Sequence, residues 1–121
     1  MLGKATIVNP ITGSECSVTL DVTELVDNRL SVEIHGSVNV TVGEVAQTHE
    51  YVRILCGSGL RISRKPLGML GGARVIVLAV SGSLCSINDV SGISLATCVA
   101  LSIALGQPDA TGSYLKDWKM L

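Results

Sequence analysis

Phenylalanine is absent from this chain of 121 residues, and aromatic residues make up only 2% of it. An interior built on large rings is therefore excluded. The hydrophobic share is nevertheless 47%, carried by Val, Ile, Leu and Ala, the composition of β-branched strands and small-residue helices. The length is that of one domain able to bury a core without metals or disulfides.

Other absences narrow the function. The four cysteines, Cys16, Cys56, Cys85 and Cys98, show no Cys-x-x-Cys or His-rich spacing, so they read as reduced, packed thiols, with no metal site. No glycine loop leads into Lys-Ser or Lys-Thr, and no Gly-x-Gly-x-x-Gly turn joins a strand to a helix, so neither a nucleotide nor a dinucleotide is expected as cofactor. The formal net charge of −1 offers nothing to nucleic acid, and the Arg61, Arg64, Lys65 cluster reads as solvated loop charge. The longest nearly apolar stretch, Val90 to Leu105, is shorter than the roughly 20 residues needed to span a bilayer. With no leader-like start either, the expectation is a cytoplasmic protein that does not enter membranes.

What is present is periodicity. Lys4 to Val8 and Cys16 to Val22 alternate on either side of Asn9-Pro10 and Thr12-Gly13, which predicts a hairpin. Leu30, Val32 and Ile34 extend the alternation after Asp27-Asn28, so three antiparallel strands are expected. Val42, Val45, Ala46, His49, Val52 and Cys56 then fall at spacings of three and four, predicting a helix from about Gly43 to Leu55 that ends at Gly57-Ser58-Gly59. The run Arg74 to Val80 reads as a central strand buried on both faces. Val90 to Leu105 reads as a buried helix closed by Gly106-Gln107-Pro108, and Thr111 to Leu121 as a last strand. The fold class expected is α/β (α+β), in the order β-β-β-α-β-α-β, with helices packed on a mixed sheet.

Several polar residues could carry chemistry. His35 ends an alternating strand and His49 lies on an apolar stripe, where a packed or interface role outweighs a catalytic triad. Asp21, Glu24 and Asp27 flank a strand end where charge faces water. Ser91, in Asn88-Asp-Val-Ser-Gly-Ile-Ser-Leu-Ala96, stands in the first turn of the buried helix. There, unpaired N–H groups and the positive end of the helix dipole can stabilise an alkoxide or an oxyanion. Serine is also an ordinary capping residue at such a place.

In order, the segments resemble the Lon-type proteolytic domain, whose fold is similar to the second domain of ribosomal protein S5, over residues 1 to 121 as a single domain. The opening Gly3-Lys-Ala-Thr-Ile-Val-Asn-Pro with Gly13, and Gly36 to Gln47 with its Gly43-Glu44, resemble the family's first strands and its entry into the first helix. Asp89-Val90-Ser91-Gly92 resembles the turn that carries the nucleophilic serine, Gly106-Gln107-Pro108 the close of the following helix, and Thr111-Gly112 the start of the next strand. The resemblance implies Ser91 as nucleophile, with Asp89 and Gly92 shaping the turn and the oxyanion site.

Two departures accompany it. Val90 stands where the family has proline, and the lysine of the family's Ser-Lys dyad belongs to a helix beyond Leu121, while Lys116 and Lys119 occupy a strand-like tail without that role. A serine hydroxyl without a base is a weak nucleophile, so the chain alone is expected to be inactive. Two function classes follow. One is a serine peptidase-type domain working on polypeptides beside an ATPase module. The other is a non-catalytic Lon-like domain that self-associates through the edge of its last strand, as in ATPase-associated defence or DNA-repair systems. A small-molecule kinase is disfavoured by the missing phosphate loop.

Overall fold

The computed structural model describes residues 1–121. The elements are β1 (Leu2–Val8), β2 (Glu15–Leu25), β3 (Leu30–Val42), β4 (Val45–Ala46), α1 (His49–Ser63), β5 (Gly72–Leu84), α2 (Ser91–Ala104) and β6 (Lys119–Met120). The strands form one mixed sheet in the order β4-β3-β5-β2-β1-β6.

The predicted hairpin forms, with Val8 opposite Glu15 and Leu2 opposite Asp21. Its turn is organised by Asn9, whose side-chain oxygen accepts the Ile11 N–H at 3.0 Å, the local bonding that favours asparagine in turns. The third strand departs from expectation. β3 does not pair with β2; β5 lies between them, antiparallel to β2 and parallel to β3. A parallel neighbour requires a crossover connection, and α1 supplies it. Alternation of Leu30, Val32 and Ile34 identifies a strand but carries no information about its neighbour.

β5 is central, as its β-branched run predicts, but it is not buried on both faces. Val75, Val77 and Val80 are buried, whereas Arg74 is exposed and Leu78 is 40% exposed. Both helices lie on one side of the sheet, where Ile7, Val18, Leu20, Val22, Val75, Val77 and Val80 join Val52, Cys56, Leu60, Ile93, Val99 and Leu101 in one core. The register shifts beside Leu78 against both neighbours, so the inward row of β5 passes from odd to even residues there. Without that shift the second half of β5 would turn its apolar side to water.

The first helix starts later and ends later than its stripe suggests. Gly43-Glu44 is a hairpin turn between β3 and β4, with Gly43 at φ +58°, and the helix begins after Thr48, whose hydroxyl accepts the Tyr51 N–H at 3.1 Å. Gly57-Ser58-Gly59 lies inside α1 instead of closing it. A Cβ on Gly59 would sit 2.5 Å from the Ser94 carbonyl oxygen and 2.8 Å from Thr97 Cβ, so this glycine lets α1 and α2 approach closely. The Cys98 thiol donates to the Gly59 carbonyl across this contact, and the Ser63 hydroxyl, one turn further along α1, donates to the same carbonyl.

α2 ends as expected. Gly106 is at φ +72°, the Gln107 N–H donates to Ser102 O and the Gly106 N–H to Ile103 O, which is a Schellman closure. Ile87–Ala104 is long and apolar enough to cross a membrane, but 61% of it is buried inside the fold, the position of a core helix. The tail is not the strand predicted from Thr111. It coils through a 3-10 turn at Gly112–Tyr114, its N–H groups bonding back to carbonyls three residues earlier, and only Lys119–Met120 pairs with β1. Trp118 anchors it by burying its ring on α2.

Candidate active-site cleft at the start of α2

The connection from β5 to α2 is held from below. Asp89 is buried in a 3-10 turn at Ile87–Asp89, and its carboxylate accepts the Ser14 hydroxyl. The Ser14 oxygen in turn accepts the Cys85 N–H at 2.8 Å. One hydroxyl therefore ties the β1–β2 turn, the end of β5 and the entry to α2 together, so Asp89 has a structural partner of its own.

Ser91 is the first residue of α2 and is exposed; the cap position is Val90, and no side chain caps the helix. The capping role open to a serine in this turn is thus not the one Ser91 plays. The next residue, Gly92, is buried against the tail. A Cβ there would lie 2.5 Å from Trp118 Cη2 and 3.0 Å from Cys16 Sγ, so ring packing alone accounts for glycine at this position. The N–H groups of a helix's first turn have no intrahelical acceptor, and those of Ser91 and Gly92 lie in that turn.

Ser91 opens into a cleft of about 230 Å³ whose lining also includes Asn88, Asp89, Tyr114, Lys116 and Trp118. Lys116 is its only cationic side chain, and it holds a left-handed backbone conformation at φ +51°. Such a conformation is uncommon outside glycine, asparagine and aspartate. Lys116, Tyr114 and Trp118 were not legible as cleft residues, because their placement depends on the tail coiling back over α2. Lys119 is elsewhere, opposite Val8 in β6.

The remaining candidates lie outside this cleft. His49 is exposed at the start of α1, not packed on its stripe, and His35 is exposed on β3, with its Nε2 2.9 Å from the Glu33 carboxylate. Neither lines the cleft. Asp21 pairs with the N-terminal amine at 2.7 Å and Asp27 with Arg29 at 2.9 Å. Arg64 is drawn inward to donate to the Gly71 carbonyl, which removes it from any basic surface, while Arg61 and Lys65 remain exposed.

All four cysteines are free. Cys16, Cys56 and Cys98 are buried, and Cys85 is exposed, against the expectation that every thiol is packed. Burial, with the charges of Glu15 and Asp89 adding to it, pushes the Cys16 thiol up to about 12, so the sulfur beneath Gly92 stays protonated and unreactive. No group of His, Cys, Asp and Glu side chains is arranged to hold a metal. The chain matches no family model, and no curated protein is significantly similar to it.

Proposed function

We propose that this chain is an intracellular Lon-like serine peptidase-type domain of the S5 domain 2-like fold, with Ser91 in the nucleophile position. The observation that carries the proposal is the exposed Ser91 hydroxyl at the start of a buried helix, opening into a cleft that also holds Lys116. Ser91 attacks the carbonyl carbon of a polypeptide; the first-turn N–H groups of Ser91 and Gly92 receive the developing oxyanion. Asp89 keeps the turn in place through Ser14. The base is either Lys116 from this chain or a lysine supplied by a further segment or an ATPase partner.

Support for the fold part of this reading is the central β5 delivering the chain through a short turn to α2, with α1 crossing between the parallel β3 and β5. A second reading, a non-catalytic assembly domain, is favoured by the edge of β3, which β4 covers only at Thr41 and Val42.

Labelling with a fluorophosphonate separates the two. The peptidase reading expects an adduct that disappears in Ser91→Ala, and Lys116→Met reports whether the base is local: a large loss of labelling rate places it in this chain, an unchanged rate places it outside. Equal labelling of wild type and Ser91→Ala leaves the assembly reading.

A further inference from the structure

Asn9 opens the turn after β1, and only one end of its side chain is committed there. Its Oδ1 accepts the N–H groups of Ile11 at 3.0 Å and Thr12 at 3.4 Å. Two donors hold the oxygen end of the amide to the turn, so Nδ2, which can only donate, faces the other way and meets no acceptor in the chain. Aspartate would serve the same turn; what asparagine adds is this donor.

Asn9 is only 7% exposed. Arg64 Nε is the one side-chain nitrogen or oxygen that is both sealed from solvent and unpaired, so Nδ2 of Asn9 is not sealed. The one cavity that Asn9 borders is the Ser91 cleft, and Nδ2 keeps its access there. A buried donor without a partner costs stability, and this one shares its cleft with the start of α2, whose first-turn N–H groups also have no intrahelical acceptor.

The two walls are bonded to each other. The Asn9 N–H donates to Ser14 O at 2.8 Å, the Ser14 hydroxyl donates to the Asp89 carboxylate, and Asp89 stands two residues before Ser91. The turn that carries Asn9 is thereby fixed against the turn that carries Ser91. The charge of the cleft also selects what it can hold. Asp89 and Asp117 line it with Lys116 as the single cation, and two carboxylates against one ammonium disfavour a ligand with permanent negative charge. A neutral carbonyl that becomes negative only while it reacts fits these walls.

Resting on the peptidase-type reading of this cleft, we infer that Asn9 is a catalytic residue whose Nδ2 donates a hydrogen bond to the carbonyl oxygen attacked by Ser91, beside the N–H groups of Ser91 and Gly92. As the Ser91 oxygen bonds to the carbonyl carbon, its proton passes to the base and the C=O electron pair moves onto oxygen, where Nδ2 meets it. When that pair returns, the C–N bond breaks and the amine leaves with the proton. A donor already fixed by the turn strengthens as charge develops on the oxygen, which lowers the barrier more than it tightens binding of the peptide.

Fluorophosphonate labelling of the full chain tests the assignment, because the phosphoryl oxygen of the reagent takes the place of the carbonyl oxygen. Asn9→Asp and Asn9→Ser both keep a side-chain oxygen for the turn N–H groups and remove the Nδ2 donor. Both should melt close to wild type and label about a hundredfold more slowly, as loss of one oxyanion donor implies. In nitrogen–proton correlation spectra of wild type, one Asn9 Nδ2 proton should move downfield when the adduct forms, a change that a purely structural asparagine would not show. An unchanged labelling rate in Asn9→Ser, or an adduct that leaves the Nδ2 protons unmoved, overturns the inference and leaves the peptidase reading standing. A wild-type chain that takes no label on Ser91 removes both.

Discussion

Two glycines one turn apart in function, though only two residues apart in sequence, make a sharp test of the helix pairing that supports the cleft. In Gly59→Ala the new Cβ would stand 2.5 Å from the Ser94 carbonyl oxygen and 2.8 Å from Thr97 Cβ. The first of these is backbone, so relief requires α1 and α2 to move apart. Overpacking of this type costs about 1–3 kcal/mol, and the better helix propensity of alanine returns about 1 kcal/mol, leaving a net loss of up to about 2 kcal/mol. Gly57→Ala meets only the Arg61 guanidinium at 3.8 Å. It keeps the propensity gain and raises stability by about 0.5–1 kcal/mol.

Urea unfolding followed by the fluorescence of Trp118, the single tryptophan, measures both. A thermal melt should separate the two variants by several degrees, since about 1 kcal/mol moves Tm by roughly 3–6 °C at this chain length. Had the helix stopped at Leu55, Gly57 would be a cap and alanine there would destabilise. A stabilised Gly59→Ala, or a destabilised Gly57→Ala, refutes the close approach of α1 and α2.

Three more outcomes follow from the site and its supports. Ser14→Ala leaves both the Asp89 carboxylate and the Cys85 N–H without their partner and should lower unfolding stability by about 1–3 kcal/mol in a denaturant titration. Cys16 carries a pKa raised to about 12 from 9.0, so its neutral form favours the folded state; that contribution is complete below pH 9 and is lost as pH rises toward 12, and Cys16→Val should show a shallower alkaline fall in Tm. At neutral pH, iodoacetamide should alkylate the exposed Cys85 quickly and spare Cys16, Cys56 and Cys98, whose burial holds the thiols protonated; rapid modification of three or four thiols in the folded chain contradicts the packing.

Local chemistry in the sequence was informative wherever a residue decides its own neighbourhood. Asn9 and its turn marked the hairpin, the β-branched run of Val75 to Val80 marked the central strand, and Gly106 with Pro108 marked the end of α2. Long-range choices were not written locally. Nothing in the alternation of Leu30, Val32 and Ile34 reveals that β3 lies against β5 instead of β2, because the pattern depends only on which face is buried. Gly57-Ser58-Gly59 looks like a helix stop by propensity, yet Gly59 serves the contact with Ser94 and Thr97, which belong to another helix. The same limit applied to the cleft. Ser91 could be singled out from its own turn, whereas Lys116 enters only because Trp118 folds the tail onto Gly92.

The reactivity of the Ser91 hydroxyl, read against the chain's other exposed serines, decides the account. Ser81 and Ser83 are exposed on β5 and serve as internal controls. Treatment with a fluorophosphonate, followed by intact-mass analysis and fragmentation, should give one adduct, located on the peptide that begins α2. An unmodified chain, or adducts spread evenly over Ser81, Ser83 and Ser91, would contradict it.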